Sequence, residues 1–277
     1  MIVNSNMILP KISVITVCYN SVKTIEQTIL SVINQSYPNI EYIIIDGGST
    51  DGTVNIIKKY ESKIAFWESS PDKGIYDAMN KGIKIATGDY IATLNSDDWY
   101  YDSNVIQDIV NVINSNSNID IIHGSINICD IDGNIRYTIL GDKEPWKNIQ
   151  KYMPVWQPTM FVKRELYEKY GFYDLNYKIA ADYEFIFRVI NKCNFYCLDK
   201  IITNMRDGGV SNTRLLYINK ENYKIRKQYN VNLLFNILLY CKFILFTSIR
   251  ILLEKMGMIR TVNIIKSVIN RNKIVLK

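Results

Sequence analysis

YIATLNSDDW, residues 90–99, is the stretch on which the reading of the chain turns. Five mostly apolar residues suit a buried strand, and they stop abruptly at Asn95, Ser96, Asp97 and Asp98. Open α/β sheets place their ligands at the carboxyl ends of parallel strands. Two adjacent aspartates there are hard oxygen donors for Mg2+ or Mn2+, and a divalent ion held that way commonly carries a phosphorylated substrate. The competing reading is a helix cap, with Asp97 or Asp98 closing a helix that begins near Ser103.

Outward from this stretch, strands and helices alternate. Residues 12–17 form an apolar run, and 22–35 follow as an amphipathic helix with Ile25, Ile29, Val32 and Ile33 on one face. Strands at 41–46, 64–67 and 90–94 then alternate with helices at 51–60 and 75–86. That order implies βαβ units and a mainly parallel sheet covered on both faces, an α/β fold. After Asp120 the texture changes, and Asp132, Gly133 and Asn134 between two apolar runs read as a hairpin. Helical pattern returns at 163–169 and 180–190, with a strand near 196–202. His123 falls in mid-strand and reads as structural.

The chain has 277 residues, 48% hydrophobic and 22% charged, which fits a folded globular protein and excludes disorder. Its net charge of +6 comes partly from the tail, where Lys255, Arg260, Lys266, Arg271, Lys273 and Lys277 face only Glu254. That asymmetry favours an anionic membrane surface over nucleic acid. Five scattered cysteines, Cys18, Cys129, Cys193, Cys197 and Cys241, read as reduced core residues of a cytosolic protein. The Cys193–Cys197 pair has no second pair and no nearby histidine to make a zinc site. The N-terminus lacks a signal-peptide profile, so the expected location is cytoplasmic.

Each strand end carries a residue suited to a ligand. The first ends at Val17, followed by Cys18, Tyr19 and Asn20, and a tyrosine there can stack on a flat heterocycle or simply pack. The second ends at Asp46, Gly47, Gly48, Ser49, Thr50, Asp51 and Gly52. Glycines let backbone approach a ligand, Asp46 can accept from a base N–H, and Ser49 or Asp51 can cap the next helix. The glycine spacing differs from the dinucleotide fingerprint. Asp72, Lys73 and Gly74 open the third helix, where an N-terminus and a lysine can meet phosphate. Tyr19, Asp46, Asp72 and Asp97 thus follow four successive strands, a convergence that capping alone does not explain.

Taken together, YN after the first strand, DGGSTDGT after the second, DKGIYDAMNKGI and GDYIATLNSDDW resemble the inverting family 2 glycosyltransferases of GT-A fold, in the branch that assembles bacterial surface polysaccharides such as O-antigen and capsule. The resemblance is strongest over residues 11–102 and continues to about 213. It implies a nucleotide-diphosphate sugar donor, a UDP-sugar favoured, and transfer of one hexose or N-acetylhexosamine to an acceptor hydroxyl with inversion. The family's DXD metal motif falls on Asn95, Ser96 and Asp97. Its last acid, Asp97, matches the Mn2+ or Mg2+ ligand, with Asp98 in support, while Asn95 in place of an acid implies a hydrogen bond to the donor. Tyr19 and Asp46 match positions that hold the nucleobase and Asp72 and Lys73 the segment near ribose and phosphates, with Val17, Asn20, Gly48, Ser49 and Ser96 as further donor-binding candidates. Asp182, in AADYEFIFRV, resembles the base that takes the acceptor's proton. Trp156 and Gln157 stand where relatives often show histidine before glutamine, on the acceptor side; Trp156 suits a sugar ring or the core. Gly208 and Gly209, with Val210 and Ser211, resemble a loop that closes on the donor.

The resemblance implies a catalytic domain over 1–215, with a nucleotide-binding half to residue 100 and an acceptor half beyond it, and a helical segment over 216–277. Within that segment, 232–255 is very apolar but broken by Lys242. On a helical wheel Asn232, Asn236, Tyr240, Thr247, Arg250 and Glu254 share one stripe, which suggests a helix lying on the inner face of the membrane beside a lipid-linked oligosaccharide acceptor. Packing on the catalytic domain, or a homodimer through this helix, is the alternative. Two other functions stay open: a catalytically inactive assembly subunit, motivated by Asn95 and Trp156, and a sugar nucleotidyltransferase, which usually carries a glycine-rich N-terminal loop absent from ISVITVCYNS.

Overall fold

The computed structural model describes residues 9–208, 215–256 and 274–275. Its first half is the alternating unit the sequence pattern demands: β1 (Ile12–Cys18), α1 (Ile25–Ile33), β2 (Ile40–Asp46), α2 (Thr53–Lys59), β3 (Phe66–Ser69), α3 (Ile75–Ile85) and β4 (Tyr90–Asn95). All seven residues of β1 are buried, as expected of a strand with helices on both faces. Side chains alternate between two cores: Ile12 and Val14 pack with Ile25, Ile29 and Ile106, while Ile15 and Val17 pack with Met79, Ile83 and Ile186. In α1, Ile25, Thr28, Ile29 and Val32 form the buried stripe at helical spacing. Gly82 lets α3 lie close on β1, since a Cβ there would collide with the Ile15 side chain.

β3, β2, β1 and β4 run parallel. The second half adds β5 (Trp99–Tyr100), α4 (Val105–Ser115), β6 (Ile121–Cys129), β7 (Ile135–Ile139), α5 (Pro145–Asn148), β8 (Phe161–Lys163), α6 (Arg164–Tyr170), α7 (Ala181–Val189) and β9 (Phe195–Arg206). β8 pairs antiparallel with both β4 and β6, and β6 and β7 form the expected hairpin. β9 runs parallel to β6 and reaches back to pair antiparallel with β5, which brings Arg206 to the end of β4. A short β10 (Ile274–Val275) pairs with β7. The third strand starts at Phe66, two residues later than expected, because residues 61–63 take a single 3-10 turn first.

The C-terminal helices pack on the rest of the chain: α8 (Leu215–Gln228) contributes Ile225 to the same core as Phe185 and Ile186 of α7. In α9 (Leu233–Lys255) the middle of the polar stripe, Asn236, Tyr240 and Thr247, faces protein, while Asn232 at its start is exposed. Asn236 Oδ1 accepts from Arg226 Nε at 2.7 Å, Asn219 Nδ2 donates to Thr247 Oγ1 at 2.9 Å, and Tyr240 lies against Tyr223. Leu234, Leu238, Leu245 and Leu252 are exposed on the outside. The helix is thus amphipathic in the inverted sense, because α8 supplies polar partners for its polar side. By length and composition, 233–253 is apolar enough to cross a membrane. The tail cations Arg260, Lys266, Arg271, Lys273 and Lys277 lie outside the described residues.

Candidate active site

The loops after β1 and β2 clasp each other. Asn20 sits in the left-handed region at φ 50°, a conformation asparagine tolerates, and its Oδ1 accepts from Thr50 N at 3.0 Å. Its own N–H donates to Ser49 Oγ at 2.7 Å. Tyr19 projects beyond this clasp, 65% exposed. Asp72 comes in from the loop before α3: a Cβ on Gly47 would stand 2.5 Å from Asp72 Oδ2 and 3.4 Å from the Tyr19 ring. Tyr19, Gly47 and Asp72 therefore surround one small space.

Asp46 plays a different part from the one expected. Its carboxylate is fully buried; Oδ1 accepts from Ser49 Oγ and Cys18 Sγ, and Oδ2 from Gly48 N, Ser49 N and Ser69 Oγ. Against burial, which would raise it, the Ser49 and Ser69 hydrogen bonds hold its carboxyl below the ordinary value. The group organises the loop, and a base N–H would have to displace one of these donors. Gly48, at φ 86°, takes the backbone conformation that makes this cradle possible. Val17 is also inside the core, and its contribution is backbone register between Ile45 and Asn95.

Just before α3, Asp72 Oδ1 accepts from Gly74 N at 2.7 Å, while Lys73 is exposed, with its N–H donating to Asp77. One turn on, Tyr76 Oη lies 2.8 Å from both Asp182 Oδ1 and the Ile179 carbonyl. Asp182 sits in the first turn of α7, half-buried, and its Oδ1 also accepts from Tyr183 N at 2.9 Å. Among the described residues no donor reaches Oδ2. Burial raises the Asp182 carboxyl above its ordinary value, against the Tyr76 and Tyr183 hydrogen bonds. A raised, half-open carboxyl is a candidate for proton transfer.

At the end of β4 the chain turns, with Asp98 N donating to Asn95 O at 3.1 Å and Asn95 Nδ2 donating to Asp98 Oδ2 at 3.0 Å. Ser96 shares a 2.7 Å hydrogen bond with Ser21, tying this turn to the β1 side. Asp98 is buried and Asp97 half-buried. Burial raises both carboxyls, Asp98 further because Asp97 lies beside it, while Arg206 opposes the rise. Arg206, which the sequence reading passed over, donates to the Asp97 carbonyl at 2.9 Å and to Gln27 Oε1, and lies 4.6 Å from the Trp99 ring centroid. Only its place directly before Asp207 and Gly208 hinted at it; the pairing of β9 with β5 brings it here.

A divalent ion fits this turn. Asn95 Oδ1 and Asp98 Oδ1 are buried oxygens without a hydrogen-bond partner, and with Asp97 they make an all-oxygen donor set. No group of three His, Cys, Asp or Glu gathers to hold a metal among the described residues, so the remaining ligands would come from water and a diphosphate.

The remaining candidates lie apart. Trp156 packs against Ile126, Ile128 and Ile139, which is the core reading of that residue. Gln157 is buried, and its amide donates to the Thr93 carbonyl at 2.7 Å and to the Thr93 hydroxyl, so it braces β4 behind Asn95 instead of facing an acceptor. Gly208, at φ 131°, is exposed, and Gly209 lies outside the described residues.

Glycosyl transferase family 2 matches residues 13–171. An uncharacterized glycosyltransferase of Mycobacterium tuberculosis is 32% identical over 211 residues, covering 74% of this chain and 78% of that one. A PGL/p-HBAD biosynthesis glycosyltransferase of Mycobacterium bovis is 25% identical, covering 75% and 81%. Among solved structures, S. aureus TarS 1–349 in complex with UDP-GlcNAc shares the fold at TM-score 0.63 and 20% identity, over 84% of this chain and 71% of that one. The chain spans 43% of the longer TarS chain. The mannosyltransferase PcManGT of Pyrobaculum calidifontis, in complex with GDP-Man and Mn2+, matches at TM-score 0.58 and 15% identity, over 79% and 64%.

Proposed function

The chain belongs to glycosyl transferase family 2, and from that premise we propose that it moves one hexose or N-acetylhexosamine, with inversion, from a nucleotide-diphosphate sugar to a hydroxyl of a lipid-linked oligosaccharide in surface-polysaccharide synthesis. A UDP-sugar is the favoured donor, in keeping with the UDP-GlcNAc bound by TarS. The observation that carries the reading is the state of Asp182: one carboxylate oxygen is tied to the donor-side helix α3, and the other has no donor among the described residues.

Inversion needs one in-line displacement. The acceptor oxygen forms its bond to the anomeric carbon as the bond to the diphosphate breaks, and the hydroxyl proton passes to Asp182 Oδ2. Tyr76 holds Oδ1, so the carboxylate cannot swing away from the approaching hydroxyl. Tyr19 offers an aromatic face to the nucleobase, and the clasped loops beneath it, organised by Asp46, fix where that face stands. Asp97, Asp98 and Asn95 are the residues that would hold Mn2+ or Mg2+, which when bound neutralises charge on the departing diphosphate.

The exposed leucines of α9 and the basic sequence after it support a peripheral position at the inner membrane face, where a lipid-linked acceptor is found. The test is a thermal-shift and nucleotide-release screen with Mn2+ over UDP-, GDP- and dTDP-sugars. Binding and slow hydrolysis of one donor are expected, with hydrolysis lost and binding kept in D182N. No response to any donor would reject the reading, and pyrophosphate release from a nucleoside triphosphate would replace it with a nucleotidyltransferase.

A further inference from the structure

We infer that Glu221, on α8, is a positioning residue for Asp182, through a clamp on the loop that delivers it. Glu221 lies nearly forty residues from Asp182 in sequence and is 4% exposed. Its Oε1 accepts from Lys178 N at 2.7 Å, and its Oε2 accepts from Ile179 N and Ala180 N, both at 2.9 Å. Three successive backbone amides thus converge on one buried carboxylate, immediately before the residue that opens α7. A buried carboxylate is retained only where hydrogen bonds replace its lost hydration, and this one has them from neutral groups alone.

The place of the clamp gives it meaning. Helices begin with amide N–H groups that lack intrahelical partners, and a side chain usually covers them from the preceding turn. At α7 the N-cap position is Ala180, which has no side chain to do this. Glu221 does not reach those helical amides; from a different helix it places an anion on the three amides just ahead of them, at the positive end of the α7 dipole. Meanwhile Tyr76 holds the same loop from the opposite side, at the Ile179 carbonyl and at Asp182 Oδ1. Residues 178–182 are therefore pinned between α3 and α8, and the position of Asp182 Oδ2 follows from both pins. A loop needing only stability could be held by neutral acceptors; a full charge here also acts on Asp182 electrostatically.

That action has a definite sign. Around Asp182 stand Tyr76 from α3, Tyr173 from the α6–α7 connection and Glu221 from α8, while Glu184, on its own helix, is engaged by Arg188 and Tyr229. Among these the Glu221 charge favours the protonated form of Asp182. Removing it lowers the pH at which Asp182 becomes a competent base.

This inference rests on Asp182 acting as the base, and the experiment separates the two. Hydrolysis of the donor that gives the largest thermal shift in the screen is followed against pH for wild type, E221Q, E221D and D182N, all as the full chain with Mn2+. E221Q is expected to lose tenfold or more in kcat, to keep donor KM and thermal shift within twofold, and to move the acid limb of kcat to lower pH. E221D keeps the charge but shortens the reach, so its kcat falls while the acid limb stays in place. It carries the test alone if E221Q does not fold. Wild-type kcat in the folded Glu221 variants alongside an inactive D182N would overturn the inference by itself. An active D182N would remove the base and the inference together.

Discussion

Tyr76 and Asp182, 106 residues apart in sequence, meet at 2.8 Å between the tyrosine hydroxyl and carboxylate Oδ1. The contact joins α3, which follows the loop carrying Asp72 and Lys73, to the first turn of α7. Donor-side and acceptor-side elements therefore share one hydrogen bond. The tyrosine is itself buried and tilted against Tyr173 with ring centroids 5.3 Å apart, so its hydroxyl has little freedom to leave.

Replacing Tyr76 by Phe removes that donor, together with the hydroxyl's contact to the Ile179 carbonyl, and leaves the ring in place. The bond favours the charged form of Asp182, so its loss adds to the effect of burial and raises the carboxyl further. The acid limb of kcat should move to higher pH, opposite in direction to E221Q. A hydrogen bond to a charged group is worth about 1.5–3 kcal/mol, so kcat at neutral pH should fall by about tenfold or more. An unmoved pH profile for donor hydrolysis in Y76F would mean that the contact does not act on the base.

Gly47 to Ala tests the space enclosed by Tyr19 and Asp72. The added methyl would lie 2.5 Å from Asp72 Oδ2, and Asp72 can move aside only by giving up its hydrogen bond to Gly74 N. Donor KM should rise by about tenfold, the equivalent of one such hydrogen bond, with kcat changing less. Titration with UDP followed by thermal shift checks it, and unchanged UDP affinity would show that the donor does not enter this space.

The alternating half of the molecule is written in local pattern, which is why its strands and the four strand-end residues are readable from sequence. Apolar runs followed by Tyr19, Asp46, Asp72 and Asp97 need only a parallel sheet to bring them to one edge. What the sequence hides is set by pairing over long separations. Arg206 reaches Asp97 because β9 pairs with β5, Gln157 turns onto Thr93 because β8 lies beside β4, and Glu221 meets residues 178–180 because α8 packs on α7. Periodicity likewise finds the two faces of α9 but does not say which one meets protein; the buried partners Asn219 and Arg226 decide that.

The turn at Asn95–Asp98 should bind Mn2+ only weakly without a nucleotide, because the protein offers two carboxylates and one amide oxygen. Adding UDP should strengthen Mn2+ binding, and Mn2+ should strengthen UDP binding by the same factor, as linkage requires. D97N should remove most of this mutual effect while leaving the melting temperature without ligand near that of wild type, since Asp97 is only half-buried. Calorimetric titration of UDP with and without Mn2+ gives the factor directly. Equal UDP affinities in the two titrations would place the metal elsewhere or nowhere.

Deleting the C-terminal segment is a poor test of membrane attachment, because Val231 and Asn236 are buried against α8 and the core behind it. The outward face of α9 allows a cleaner one. Leu238 and Leu245, each 60% exposed and two turns apart, can both become Glu without disturbing Asn236, Tyr240 or Thr247 on the opposite side. Each substitution removes an apolar contact worth about 1–2 kcal/mol and adds charge repelled by anionic lipid. Co-sedimentation with phosphatidylglycerol vesicles should fall by about tenfold or more in the double variant, with donor hydrolysis in solution unchanged. If instead the wild-type protein leaves the vesicles in the supernatant and elutes as a dimer that the variant converts to monomer, this face meets a second subunit and the acceptor must be reached by other means.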